Sequence, residues 1–193
     1  MKQSCLQPKI DELYRQQQKK YALKKYRENQ TDYLDMEKTH LIVATRFNHD
    51  TASENKTGRG EGCLYGNPSP LKKYQQKNLL VLEMNIQTNQ IMGIGLIKHN
   101  CLIRDINARN IYENTDYNHY VFKSSYRIDR SEIDEQGEMV FQKMDTCCFR
   151  GTTHIKRGRS ISMFPVLHVL HIEQELGIQL VPFIRGLFAS KYK

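Results

Sequence analysis

NLLVLEMNIQTNQIMGIGLIKHN, residues 78–100, decides the reading of the fold. Two apolar runs, NLLVLEMNI and QIMGIGLIKHN, flank Gln87, Thr88 and Asn89, a spacing that predicts a tight antiparallel hairpin. Within the second run, MGIGLI invites comparison with a phosphate-cradling glycine loop. A dinucleotide site requires a third glycine and a helix directly after it, and neither is present. Gly93 and Gly95 stand two apart and so share one strand face, where close backbone packing or a bend is the expected role.

Outward from the hairpin the periodicity stays β-like. HLIVATRF (40–47) reads as a buried strand, and Asn48–Gly62, with Gly58, Gly60 and Gly62, as a long loop. CLYGNPSPLKKY (63–74) reads as turn chemistry because Gly66, Asn67, Pro68 and Pro70 propagate neither regular element. YVFKSSYRI (120–128) reads as one strand, with Tyr120, Phe122, Tyr126 and Ile128 on a common face. From Ser131, the residues Glu132, Asp134, Glu135 and Glu138 suggest a solvated helix start or a turn. Pro165 can open a helix over VLHVLHIEQEL that Gly177 ends, and IQLVPFIRGLFASKYK (178–193) adds a strand or short helix. At the other end, Pro8–Asn29 predicts a surface helix whose stripe of Ile10, Leu13, Tyr14, Tyr21 and Tyr26 is thin, and Gln30–Lys38 a linker. The expected organisation is a basic helix and linker over 1–37, then one α+β domain over 38–193 built on a small mixed or antiparallel barrel flanked by helices.

Composition narrows the function classes. The chain has 193 residues, 39% of them apolar, and a mean hydropathy of −0.66, which suits a polar but foldable domain. No apolar run reaches the length of a membrane span, and MKQSCLQPKIDELYR lacks the apolar core of a signal peptide. An intracellular protein, cytoplasmic or nuclear, that is neither secreted nor a membrane partner is expected. Twenty-nine Lys and Arg against twenty-one Asp and Glu leave +8, a surplus that attracts polyanions. Cys5, Cys63, Cys101, Cys147 and Cys148 form an odd set without a CxxC pair, read as reduced and mostly buried thiols. A zinc site from Cys63, Cys101 and a histidine would lack the short paired spacings of structural zinc, and no cofactor is expected.

The strongest charge feature is RGTTHIKRGRSISM (150–163), which gathers Arg150, Lys156, Arg157 and Arg159 with no carboxylate. Such a run, read as a basic strand and turn, fits a ladder of phosphates, with Gly151 and Gly158 allowing close backbone approach. Lys72, Lys73, Arg150, His154, Lys156, Arg157 and Arg159 are therefore the expected phosphate contacts. His154 could move a proton beside these cations, but it lacks a partner base in the sequence. His168 and His171 lie three apart on the predicted helix and have no third ligand in sight, so a helix-face role is expected.

In order and spacing, HLIVATRF, the turn GCLYGNPSPLKKYQQ, the pair NLLVLEMN and IMGIGLI, and HIKRGRSISMFPV before a helix resemble the PUA-like superfamily, closest to its EVE and YTH branches. The resemblance covers roughly residues 38–176. It implies a small barrel that takes a flipped or modified base into a pocket beside a basic strip. By matching position, Thr45, Arg46, Phe47, Tyr65, Gly66, Asn67 and Ser69 would border that pocket. The YTH branch holds its methylated base with tryptophans; this chain has none, so a cage here would draw on Tyr or Phe. The resemblance thus implies a nucleic-acid-binding module, RNA or DNA, without chemistry of its own. An ASCH-like hydrolase or nuclease acting on nucleic acid or a modified nucleoside is the alternative, with Lys98 or Lys156 and Glu83 as its first actors. A third reading is a partner-binding protein that uses the helix from Pro8.

Overall fold

A computed structural model describes residues 40–47, 62–71, 77–98, 102–103, 111–112, 114–156 and 161–193. The predicted helix over Pro8–Asn29, the linker, and the loop up to Glu61 lie outside the described residues. The chain is a mixed α+β fold. Strands β1 (His40–Phe47), β3 (Asn78–Asn85), β4 (Gln90–Ile97), β7 (Arg127–Asp129) and β8 (Ser162–Met163) form a five-stranded sheet in the order β7-β4-β3-β1-β8. Strands β2 (Cys63–Asn67), β5 (Leu102–Ile103) and β6 (Tyr120–Ser124) form a second sheet in the order β2-β6-β5. Among the described residues three α-helices complete it: α1 (Glu135–Phe149), α2 (Val166–Leu176) and α3 (Leu180–Lys191).

The expected hairpin is β3–β4, antiparallel, with Asn89 at φ 55 in its turn, a conformation asparagine tolerates better than most residues. β1 lies parallel to β3, pairing Ile42 with Leu80 and Ala44 with Leu82. Alternation along these strands sorts the core into two layers. Ile42, Ala44, Leu80, Leu82 and Met84 pack on Phe141, Met144, Ile172 and Ile184 of the helices. Val43, Leu79, Val81 and Ile97 pack on Cys63, Tyr65 and Phe122 of the second sheet. The large sheet therefore lies between a helical layer and a small β layer.

Several expectations need correction. Cys63–Asn67 is a buried strand paired with β6, and turn geometry starts only at Pro68. Gly66 belongs in that strand because a Cβ there would collide with the Tyr112 ring and the Tyr117 carbonyl. YVFKSSYRI is two strands in two sheets: the chain leaves β6 at Ser124 and enters β7 at Arg127. That bend carries one segment from the small sheet to the large one, as corners of packed sheets do. Among the described residues the two sheets do not close into a hydrogen-bonded barrel.

The acidic stretch begins a 15-residue helix, capped by the Asp134 side chain on the Gly137 amide. The tail resolves as helix α3. Gly177 ends α2 at φ 64, as expected of a C-terminal glycine.

Candidate nucleic-acid interface

The basic run begins where α1 stops. The Arg150 amide still donates to the Thr146 carbonyl, and Gly151 then takes φ 77, a left-handed turn with open space around its Cα that diverts the chain. Residues 150–156 form turns and irregular chain, where the sequence suggested a strand and turn; among the described residues of the run, Ser162–Met163 alone joins the sheet.

Four elements fasten this irregular segment. The Ile155 amide donates to the Cys148 carbonyl of α1 at 3.0 Å. His168 of α2 places its Nε2 3.0 Å from the Thr153 carbonyl. Arg46, near the end of β1, donates from Nε to the Ile155 carbonyl at 2.7 Å and from Nη2 to Ser162 Oγ at 3.0 Å. Lys156 Nζ reaches Asn89 Oδ1 in the β3–β4 turn at 2.7 Å. A segment without secondary structure satisfies its backbone in this way and keeps a defined course.

Charge separates Arg150 and Lys156 from four other cations. Arg127, Arg130, Lys143 and Lys191 each form an ion pair with a carboxylate at 2.7–2.8 Å. Arg150 is exposed and Lys156 is half-buried against a neutral amide; neither meets a carboxylate among the described residues. Arg46 beneath them is half-buried, and burial lowers its pKa below the ordinary guanidinium value without threatening its charge.

The other expected site residues divide. Lys72, Lys73, Arg157 and Arg159 lie outside the described residues, as does the side chain of Phe47. Thr45 and Arg46 are neighbours on a strand and so point to opposite faces of the sheet, which separates them as walls of one pocket. Tyr65 is only 2% exposed and packs in the core between the sheets, where the resemblance implied that it borders a base pocket. Gly66 and Asn67 are buried too. Asn67 accepts from the Ile161 amide at 2.9 Å and donates to the Ser69 carbonyl, tying β2 to the far end of the basic run. His154 is half-buried with its Nδ1 inaccessible, and that atom has no hydrogen-bond partner among the described residues.

A buried polar network, not anticipated from the sequence, fills the gap between the sheets. Tyr65 donates to Glu83 Oε1 at 2.7 Å, and Arg127 donates to both Glu83 oxygens at 2.7–3.1 Å and to Asp129 Oδ2 at 2.8 Å. Arg127 lies on β7 and Glu83 on β3, so the guanidinium must cross β4, which stands between them. Gly93 and Gly95 supply the passage. A Cβ on Gly93 would meet Arg127 Nη2 at 2.8 Å, and one on Gly95 would collide with the Tyr65 hydroxyl and the Cys63 sulfur. Opposite Glu83 the register slips, so that Met92 and Gly93 together face this one residue.

Burial pushes the Tyr65 phenol up, and it pushes the Cys63 thiol up to about 12. Burial opposes the Arg127 charge, but the hydrogen bonds to Glu83 more than offset it and raise the guanidinium further. Burial likewise opposes the Asp129 carboxylate, yet Arg127 and Ser131 hold it well below the usual range. The signal for this network was a lone glutamate within NLLVLEMN opposite a G-x-G strand.

Glu83 is thus engaged with Tyr65 and Arg127, while Lys156 is bound to Asn89 and Lys98 lies 4.6 Å over the Tyr126 ring. His168 is buried and His171 exposed, so the two do not converge. Cys63, Cys147 and Cys148 are buried free thiols; Cys101 lies outside the described residues. No helix among the described residues is long and apolar enough to cross a membrane.

Comparison of the chain with protein-family models, with curated proteins and with solved structures finds no match.

Proposed function

We propose that this chain is a nucleic-acid-binding module of PUA-like architecture that holds the phosphate backbone on the segment from Arg150 to Lys156. The observation that carries this reading is the contrast in charge: among the described residues Arg150 and Lys156 meet no carboxylate on a segment fastened by four elements, whereas Arg127, Arg130, Lys143 and Lys191 are each ion-paired. A pre-organised cationic strip contacts a polyanion without first ordering its own chain, which lowers the cost of binding. Arg157 and Arg159 continue the same run in sequence. The corner between β6 and β7, which carries the chain from one sheet to the other, supports a barrel-like arrangement of the strands. Tyr65 takes no part in a base pocket on this reading, because its ring is core and its hydroxyl is spent on Glu83.

The test is a salt titration of binding to labelled single-stranded RNA, single-stranded DNA and duplex. Affinity should fall with salt, and Arg150→Ala with Lys156→Ala should flatten the log–log slope by roughly 0.7 to 0.9 per lost contact. A wild-type chain that binds none of the three, or a double variant with an unchanged slope, overturns the reading. The hydrolase alternative has weaker support, since Glu83 is already committed to Tyr65 and Arg127.

A further inference from the structure

We propose that Lys191 and Tyr192 form a clasp that seals the β7 edge of the large sheet, and that opening this clasp lets β7 pair with β7 of a second copy of this chain. β7 ends the order of described strands, so its outward backbone groups face away from the sheet. The Leu96 amide donates to the Tyr126 carbonyl, which turns the backbone groups of Tyr126 and Ile128 toward β4 and those of the alternate residues Arg127 and Asp129 outward.

Side chains occupy those outward groups. The Tyr192 hydroxyl accepts from the Arg127 amide and donates to the Arg127 carbonyl, both at 2.8 Å. Lys191 Nζ donates to the same carbonyl at 3.0 Å. The Asp129 amide donates to Glu132 Oε2 at 2.7 Å, and Lys191 holds both oxygens of Glu132 at 2.7 Å. Two residues at the end of α3 therefore stand where a neighbouring strand would bond. Exposed strand edges pair with other chains unless something blocks them, and here the block is a pair of side chains.

The sequence of the edge selects the occupant. An antiparallel pair centred on Ile128 sets Arg127 opposite Asp129 of the copy and engages both outward residues at once. Opposite charges directly across a strand pair are favourable, while registers that place Arg127 on Arg127 or Asp129 on Asp129 are penalised. The edge is thus self-complementary about a two-fold axis, the usual symmetry of a dimer.

Sedimentation velocity of the full chain carrying Lys191→Ala and Tyr192→Phe tests the proposal. Phenylalanine keeps the ring that packs 5.0 Å from Tyr126, so the variant loses the clasp and retains the packing. The dimer dissociation constant should fall by about tenfold or more relative to the unsubstituted chain. Tyr192→Phe alone should shift it in the same direction, and it serves if the double variant does not fold. Adding Asp129→Lys sets like charges opposite and should restore the monomer. Clasp variants with native circular dichroism that remain monomeric at the highest soluble concentration overturn the proposal, as does a dimer indifferent to Asp129→Lys.

Discussion

Tyr65 and Glu83 meet across the boundary between the two sheets, hydroxyl to carboxylate at 2.7 Å, with Glu83 only 6% exposed. A buried carboxylate is costly unless its charge and lone pairs are matched. Here Tyr65 brings a donor from β2 and Arg127 brings a guanidinium from β7, so the carboxylate on β3 is matched from both sheets. The bond is therefore a joint between layers.

Removing the joint should cost stability in proportion to what is left unpaired. Tyr65→Phe keeps the ring in place and deletes one hydrogen bond to a charged group, a loss of about 1.5 to 3 kcal/mol. Glu83→Gln leaves Arg127 with Asp129 as its remaining charge partner and should cost roughly 3 kcal/mol, the lower end for a broken buried pair. Urea denaturation measures both. A neutral Glu83→Gln would mean that the network contributes nothing to folding.

The glycines of β4 make a coupled prediction. Gly95→Ala drives a methyl group into the Tyr65 hydroxyl and toward the Cys63 sulfur at 2.7 Å, so overpacking should destabilise the fold by about 1 to 3 kcal/mol. In the Tyr65→Phe background part of that collision disappears. The two substitutions should thus be less than additive, with a coupling of about 0.5 kcal/mol or more in a double-mutant cycle. Strict additivity would show that the glycine is not there to admit the hydroxyl.

How far the sequence carried this architecture depends on how local each signal is. The β3–β4 turn at residues 86–89, Gly177 at the end of α2 and the tight packing at Gly93 and Gly95 are written within a few residues and were legible. Helix α1 carried a readable stripe as well, Val140, Phe141, Met144, Cys147 and Cys148 at helical spacing, which its acidic start obscured. By contrast, Tyr65 sits in a strand because β6, more than fifty residues later, pairs with it through Phe122. The sheet switch after Ser124 is likewise set by which partners the two halves find. At the candidate interface the basic run was plain in the sequence, whereas the contacts that fasten it come from Arg46 and Asn89, far away along the chain, and from His168 on the helix that follows.

Acid should loosen the same joint. Asp129 has a folded pKa held below its ordinary value, so its contribution is complete above the unfolded pKa of about 4 and is lost as the pH falls through the lower folded value. Melting temperature should then drop on acidification below about pH 4, and Asp129→Asn should make that decline shallower while lowering stability at neutral pH. Parallel pH profiles for wild type and variant would place the acid sensitivity elsewhere.

Arg46 offers a way to separate order from charge at the interface. Its planar fork reaches the Ile155 carbonyl and the Ser162 hydroxyl together, joining the middle of the basic run to its far end. Lysine keeps the positive charge but cannot reproduce that pair of directed bonds. Arg46→Lys should therefore leave the salt slope of nucleic-acid binding unchanged, since the number of cations is the same. Affinity should still fall severalfold, because the segment must now be ordered during binding. The Ile155 amide, bonded to Cys148, reports on that order directly, and its hydrogen exchange should accelerate in the variant. If Ile155 stays as protected as in the wild type and affinity is also unchanged, Arg46 does not pre-organise the strip. A reduced salt slope would instead show that Arg46→Lys had displaced Arg150 or Lys156 from the phosphates, making Arg46 a determinant of where the charge sits rather than of how firmly it is held.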